Sequence, residues 1–179
     1  MHQTPLRIPL VAIAIAALAN APACRRNRIT GETDEGVDTR LASVVAVADP
    51  HTASQLLNGF YGVENNAWRW TKGRFAVVLR PPRTAPQKGA TLRLHLTIPD
   101  PSIALLKSVA VSASVNGTAL PPETYTRAGS YVYSRDVPST ALAGGGARVE
   151  FALDKTLPPT PNDHRELGVV VSTVGFEAK

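Results

Sequence analysis

Trp68 and Trp70 are the residues of this sequence best suited to binding chemistry. They stand two positions apart, so on a β-strand both side chains would point to the same face. An aromatic face that is open to solvent can stack on flat apolar surfaces, such as the C–H faces of sugar rings. Tyr61 would extend the same platform. The alternative is that one or both tryptophans fill the core, because aromatic rings are the bulkiest core side chains of a small domain.

Charged residues accompany these aromatic residues in two segments, with Glu64 and Arg69 in one and Asp163 and Arg165 in the other. A guanidinium group binds a carboxylate through two parallel hydrogen bonds. We therefore predict that Arg165 pairs with Glu64 or Asp163 and ties the first and last strands together. The rival interpretation is a polar ligand site, in which Arg69, Glu64 and Arg165 orient hydroxyls or charges beside the tryptophans.

Residues typical of catalysis are not arranged in a recognisable motif. Glycoside hydrolysis needs two carboxyl groups at a set separation. The acids that could supply them stand out by type alone: Glu64, Glu123, Asp136 and Glu166. The sequence shows no nucleophile elbow, Cys–His pair, phosphate-binding glycine loop or zinc-ligand spacing. We therefore predict no enzymatic activity, no catalytic residue, no metal site and no cofactor.

The composition is that of one globular domain with a tail. The chain has 179 residues, of which 44% are hydrophobic and 18% charged. These values exclude a wholly disordered chain, a coiled coil and a multi-span membrane protein. The net charge is +5, but the basic residues are scattered, without the dense stripe and interleaved aromatics of nucleic-acid binders, so we predict no nucleic-acid partner. With a single cysteine, the chain forms no intrachain disulfide.

The N-terminal segment has the three parts of a secretory signal peptide. Arg7 supplies the positive charge, residues 8–19 form an apolar run, and Ala21-Pro22-Ala23 provides small residues before Cys24. The apolar run is shorter than the ~20 residues that a membrane-spanning helix needs. Residues 1–23 are therefore predicted to be a signal peptide, helical in its apolar part.

This leader resembles a bacterial lipoprotein signal, in which the mature chain begins with a lipid-modified cysteine. The resemblance implies diacylglycerol on Cys24, export, and membrane attachment in the cell envelope, facing the periplasm or the surface. The alternative is ordinary cleavage after Ala23, which leaves a soluble protein with a free thiol. Residues 24–49 are predicted to hold the anchor cysteine and a flexible linker, although residues 41–48 could also be a first strand or a docked segment. The folded domain is expected at residues 50–179.

Alternating apolar residues predict that this domain is built from β-strands. In the clearest segment Leu92, Leu94, Leu96 and Ile98 share one face, as in a half-buried antiparallel strand. Further strands are predicted at residues 75–79, 109–115, 131–134, 149–153 and 167–174. Asn116-Gly117 predicts a hairpin turn, and Pro121-Pro122 is expected in another turn.

Helices contribute little to the expected fold. Single helical turns are predicted at residues 52–58 and 103–106, and no segment has three turns of amphipathic pattern. Seven to nine short strands without intervening helices predict an all-β fold. We expect an antiparallel, jelly-roll-like sandwich of two sheets, in which a site would lie on a loop or on an exposed face.

Three short motifs carry a family resemblance: Gly59–Glu64, Trp68–Thr71, and Asp163–Gly168 followed by a β-branched run. Together they resemble a poorly characterised bacterial exported jelly-roll domain similar to carbohydrate-binding modules, and the resemblance spans residues 59–176. It implies a binding module with carbohydrate as the leading ligand class.

Two hypotheses for the binding partner follow from the sequence. In the first, a glycan stacks on Trp68, Trp70 and Tyr61 while the charged residues named above orient it. In the second, a structural or assembly lipoprotein docks another envelope protein through a sheet face or edge. The direction in which the tryptophans point distinguishes them, since an open aromatic groove favours the glycan and buried tryptophans favour the protein.

Overall fold

The computed structural model describes residues 41–179, so the predicted signal peptide, Cys24 and most of the predicted linker lie outside the described residues. The elements in chain order are β1 (Val44–Ala46), β2 (Leu56–Glu64), β3 (Trp68–Leu79), α1 (Ala85–Lys88), β4 (Ala90–Ile98), α2 (Asp100–Leu106), β5 (Val109–Val115), β6 (Thr118–Tyr125), β7 (Gly129–Val137), β8 (Ala147–Leu153) and β9 (Val170–Ala178). Two 3₁₀ helices cover Pro50–Gln55 and Ser139–Leu142. Within residues 41–179, every helix is too short or too polar to cross a bilayer.

The strands form two layers that share β3. The order of neighbouring strands is β6-β5-β8-β3-β9-β4-β7, with β1 also beside β9 and β2 also beside β3. Residues 74–79 of β3 pair with β8, whereas Arg69 and Trp70 pair with β9. The first sheet therefore contains β6, β5, β8 and the second part of β3, and the second sheet contains the beginning of β3, β9, β4 and β7. The predicted all-β, antiparallel sandwich is confirmed.

The core lies between the two sheets and follows the alternation seen in the sequence. Leu92, Leu94 and Leu96 of β4 are exposed by 2% or less. Phe75 and Phe151 of the first sheet stack with their ring centroids 4.8 Å apart. Burying each such side chain stabilises the fold by about 1.5–3 kcal/mol, so the packed interior fixes which face of every strand points outward.

The segment before Pro50 belongs to the folded domain, contrary to the predicted boundary. Val45 of β1 is fully buried, and β1 pairs with β9. The buried Gln55 holds this segment in place: its Nε2 donates to Ala42 O at 3.1 Å and to Val78 O at 2.7 Å. β1 could not be recognised from the sequence, because three residues are too few to show the two-residue period of a strand. Of the two possibilities left open for residues 41–48, the structure shows the first strand.

The hairpin turn predicted between β5 and β6 is present, but the turn predicted at the two prolines is not. Asn116 and Gly117 have φ values of 47° and 83°, the left-handed backbone that such a turn requires. Pro121 and Pro122 lie within β6. They fall at a register shift between β6 and β5, where the ladder is interrupted, and β6 is an edge strand, so the missing N–H groups break no regular pairing.

Two other predicted elements differ in their extent. The helical turn expected at residues 52–58 is the 3₁₀ helix Pro50–Gln55. After it the chain enters β2, a strand that was not predicted from the sequence. The last strand begins at Val170 instead of Leu167, because Leu167 pairs in an isolated bridge with Leu157. The turn expected at residues 103–106 is part of α2.

Gly168 lies where the chain enters β9, pressed against β3, and we predict that Gly168→Ala destabilises the fold. An added Cβ would lie 2.7 Å from Thr71 Oγ1, Lys72 O and Leu153 Cδ1. Overpacking of this kind costs about 1–3 kcal/mol, which urea denaturation followed by circular dichroism would measure.

Gly62→Ala is the matched control, since its Cβ would meet no atom within 4 Å. We expect its free energy of unfolding to stay within about 0.5 kcal/mol of the wild type. Equal unfolding midpoints for the two variants would contradict the close approach of the chain at Gly168.

Candidate functional site

Trp68 and Trp70 lie on the outer face of the second sheet. Trp70 is opposite Val170 of β9, and Arg69 is opposite Val171. Opposed residues of an antiparallel pair share a face, and Val171 is fully buried, so the tryptophans belong to the other, outer face. Both tryptophans are half-buried and neither joins the core. They point the same way, as the spacing predicts, and the alternative of a tryptophan in the core is wrong.

A row of small side chains continues from Trp70 across the second sheet. Val170 is opposite Thr97 of β4, and Thr97 is opposite Ser130 of β7. The hydroxyls of Thr97 and Ser130 lie 3.0 Å apart, within hydrogen-bond distance. We call this surface the tryptophan face; it consists of Trp68, Trp70, Val170, Thr97 and Ser130. The tryptophan face crosses β3, β9, β4 and β7, and the three spacings between these neighbouring strands add up to roughly 14 Å. An aromatic ring lies at one end of the face and two hydroxyls lie at the other.

Thr97 and Ser130 are not among the site residues that the sequence predicts. Their only sequence signal is position: Thr97 falls on the polar side of β4, where single polar residues are normally just solvated. Ser130 lies on β7, and its place opposite Thr97 is set by the pairing of strands that are distant in sequence.

Arg165 forms the ion pair that the sequence predicts, with both candidate partners at once. Its Nη1 donates to Glu64 Oε1 at 2.9 Å, and its Nη2 donates to Asp163 Oδ2 at 2.8 Å. Its Nε also donates to Asp163 Oδ1 at 2.9 Å. The guanidinium carbon lies 5.3 Å from the centre of the Tyr61 ring, and the Tyr61 hydroxyl donates to Glu166 O at 2.9 Å. These contacts fasten the loop between β8 and β9 to β2.

We call Tyr61, Glu64, Asp163 and Arg165 the Arg165 cluster. In it the positive charge of Arg165 lies against the carboxylates of Glu64 and Asp163. Hydrogen bonds from the Arg165 side chain and backbone lower the pKa of Asp163 from 3.8 to about 2. Hydrogen bonds to Asp163 and Glu64 in turn raise the pKa of Arg165. Asp163 and Arg165 are therefore both charged at neutral pH.

Arg69 is also engaged within the fold. Its Nε donates to Val47 O at 2.6 Å, and its Nη1 donates to Tyr61 O at 2.9 Å. This side chain lies on the inward side of β3, whereas Trp68 and Trp70 lie on the outward side. Arg69 thus connects β3 to the end of β1 and to β2.

Glu64 connects the Arg165 cluster to the tryptophan face. It is opposite Trp68 in the pairing of β2 with β3, so the two side chains share the outer face. One carboxylate oxygen of Glu64 accepts the bond from Arg165. The second oxygen has no hydrogen-bond partner among residues 41–179 and remains an acceptor for a ligand.

The acids considered for hydrolysis each bind a different group. Besides Glu64, Glu123 pairs with Arg135 at 2.9 Å and Asp136 with Lys179 at 3.0 Å. Glu166 accepts from the backbone N–H of Gly73 at 3.2 Å. In the part of the chain that the structure describes, no group of three or more histidine, cysteine or acidic side chains is placed to hold a metal ion.

Comparison with known proteins finds similarity in structure alone. No protein-family model matches the chain, and no curated protein matches it. The CBM36-1 domain of a multidomain xylanase from the hindgut metagenome of Trinervitermes trinervoides aligns at 12% identity and a TM-score of 0.43, over 76% of this chain and 96% of that one. A family 35 carbohydrate-binding module from Clostridium thermocellum aligns at 14% identity and a TM-score of 0.39, over 75% and 98%.

A third similar structure is the carbohydrate-binding module CBM36 in complex with calcium and xylotriose. It aligns at 10% identity and a TM-score of 0.42, over 75% of this chain and 98% of that one. At these identities and TM-scores the likeness does not indicate a ligand for this chain.

The lowered pKa of Asp163 predicts a pH dependence of stability. A carboxyl group whose pKa falls on folding stabilises the protein above its unfolded pKa, and this stabilisation is lost as the pH falls through the folded pKa. We expect the stabilisation by Asp163 to disappear between about pH 4 and pH 2, the interval between its ordinary pKa and its shifted pKa. Thermal unfolding at a series of pH values, with NMR titration of the Asp163 carboxyl carbon, would measure both quantities.

Asp163→Asn is the variant for comparison, since it removes the titrating group but keeps the side-chain shape. Its stability should fall less steeply than that of the wild type over the same acid interval. Because the pair is about one third exposed, we expect the difference in stability to be small, as for other solvent-exposed ion pairs. An unshifted carboxyl titration would contradict the Arg165–Asp163 pairing.

Proposed function

We propose that this chain is a glycan-binding module whose ligand stacks on the tryptophan face. The observation that carries the proposal is the position of Trp68 and Trp70, outward and half-buried on one strand, with the Glu64 carboxylate beside them. Aromatic surface binds the C–H faces of a sugar, and a carboxylate oxygen accepts from its hydroxyls. One surface therefore supplies both kinds of contact that a sugar ring offers.

In this proposal Arg165, Tyr61 and Arg69 position the site, and their contact with the ligand is secondary. Arg165 directs all three of its guanidinium nitrogens to carboxylates, and Arg69 directs two of its nitrogens to backbone carbonyls. These bonds fix β2 and the start of β3, which together carry Glu64 and both tryptophans. A binding surface held rigid before the ligand arrives loses less conformational entropy on binding.

Two edge strands, β6 and β2, favour this proposal over docking of an envelope protein by strand addition. On β6, Pro121 and Pro122 have no N–H to offer, and Arg135 donates to both of their carbonyls, at 2.8 Å and 2.9 Å. On β2, three register shifts interrupt the pairing with β3 and make the edge irregular. Prolines and bulges are the usual means by which edge strands avoid pairing with another chain.

We also propose that the module is exported and attached to the bacterial cell envelope through a lipid on Cys24. The support is the order of charge, apolar run and small residues at positions 1–24. The domain would then act at the membrane surface, where envelope polysaccharides are within its reach.

Replacing either tryptophan should weaken glycan binding. We expect Trp70→Ala and Trp68→Ala each to lower the affinity by about tenfold to a hundredfold, the range typical of an interface tryptophan. Trp→Phe at the same positions should retain part of the affinity, because a smaller ring still stacks. A glycan array would first identify the binding sugar, and isothermal titration of that sugar would give the dissociation constants.

Leu57→Ala is the matched control, because it removes an exposed apolar side chain at the start of β2, where this strand pairs with the first-sheet part of β3. Its affinity should equal that of the wild type. Unchanged binding in both tryptophan variants, or a glycan array with no binding sugar, would reject the proposed function.

Lipid attachment is tested separately by Cys24→Ser. In a bacterial host labelled with radioactive palmitate, we expect the wild type to carry label in the membrane fraction and Cys24→Ser to carry none. Globomycin, which inhibits lipoprotein signal peptidase, should cause the precursor to accumulate. A wild-type mature chain that starts with unmodified Cys24 would contradict the anchor.

A further inference from the structure

A depression of about 240 Å³ lies at the end of the tryptophan face that is remote from Trp70. The residues lining it come from the three neighbouring strands β4, β7 and β9: His95, Leu96, Thr97, Ser130, Tyr131, Val132 and Ser172. Thr97 and Ser130 also belong to the row that begins at Trp70, so the depression continues the tryptophan face.

An irregularity in strand pairing helps to form this depression. His95 is opposite Thr173, but the next residue of β4 is opposite Val171, so Ser172 is an extra residue on β9. Such a β-bulge bends a strand and redirects a side chain, and bulges occur often next to binding sites. Here Ser172 is exposed and lines the depression together with His95.

The chemistry of the depression suits a second sugar ring. The His95 imidazole and the hydroxyls of Thr97, Ser130 and Ser172 can donate to and accept from sugar hydroxyls, whereas the Tyr131 hydroxyl already donates to Arg127 O. Val132 adds an apolar side chain that is 41% exposed. The lining of the depression contains no lysine or arginine to pair with an anionic group, and this favours a neutral sugar over an anionic one.

We propose that the tryptophan face binds an internal stretch of a neutral polysaccharide laid across the strands, with one ring on Trp70 and a later ring in the depression at His95. This inference rests on the proposed function and adds the length and charge class of the ligand. The roughly 14 Å from β3 to β7 is longer than one sugar ring, so a single ring cannot reach both ends. A chain of several rings can do so and would cover Val170 and Thr97 between them.

The test is a ladder of oligosaccharides, from monosaccharide to hexasaccharide, prepared from the neutral polysaccharide that binds most tightly in a panel of xylan, cellulose and chitin. We expect the affinity to rise by about tenfold or more between the shortest and longest oligosaccharides and then to level off. His95→Ala should reduce the affinity for the long oligosaccharides about fivefold and leave the affinity for the shortest unchanged. Trp70→Ala should weaken binding at every length.

Arg93→Ala is the control on the same face of β4, two residues from His95 and outside the depression. It should bind the whole ladder as the wild type does. Equal affinity for every length, or a His95→Ala variant that matches the wild type for long oligosaccharides, would overturn the inference while the loss in Trp70→Ala still supports the proposed function. If no polysaccharide of the panel binds and only anionic glycans do, the neutral, extended ligand is rejected. If no glycan binds at all, both proposals fall.

Discussion

The pairing of β3 with two different neighbours is the constraint on which the rest of the structure depends. One part of β3 pairs with β9 and the other with β8, so the strand must pass from one sheet to the other. Gly73 lies between these parts, and a Cβ there would come within 2.8 Å of Glu166 Oε1. The backbone N–H of Gly73 donates to this Glu166 oxygen at 3.2 Å and so links the loop that carries Arg165 to β3. The same path places Trp68 and Trp70 on an outer face beside Glu64.

Side chains, instead of strand pairing, connect β7 of the second sheet to β6 of the first sheet. Tyr133 and Arg135 of β7 reach across to β6, where the Tyr133 hydroxyl and Arg135 Nε both donate to Pro121 O at 2.8 Å. The Arg135 guanidinium also lies 4.5 Å from the centre of the Tyr133 ring. Because side chains satisfy these carbonyls, the edge offers little to another strand.

Features that are set by neighbouring residues in the sequence could be predicted, whereas features that depend on contacts between distant segments mostly could not. The alternation in β4 is local, and it specified a strand and its buried face correctly. In β2 the three register shifts break the period of two, so the strand had no recognisable pattern. The outward direction of Trp68 depends on β9, about a hundred residues later. The pairing of Arg165 with Glu64 was predictable only because the two ends of a sandwich commonly lie side by side.

The Arg165 cluster is better explained by positioning than by stability. The side chains of Arg165, Glu64 and Asp163 are exposed by 36%, 37% and 34%, and ion pairs so open to solvent contribute little to the free energy of folding. Nevertheless, three nitrogens of the planar Arg165 guanidinium bind carboxylates on the loop and on β2. These two segments can therefore adopt few orientations relative to each other. Such an arrangement restricts movement at small energetic cost, since each charge keeps part of its hydration. The sugar binding proposed for the tryptophan face needs this restriction, because rings that move independently would stack on a ligand at the expense of conformational entropy.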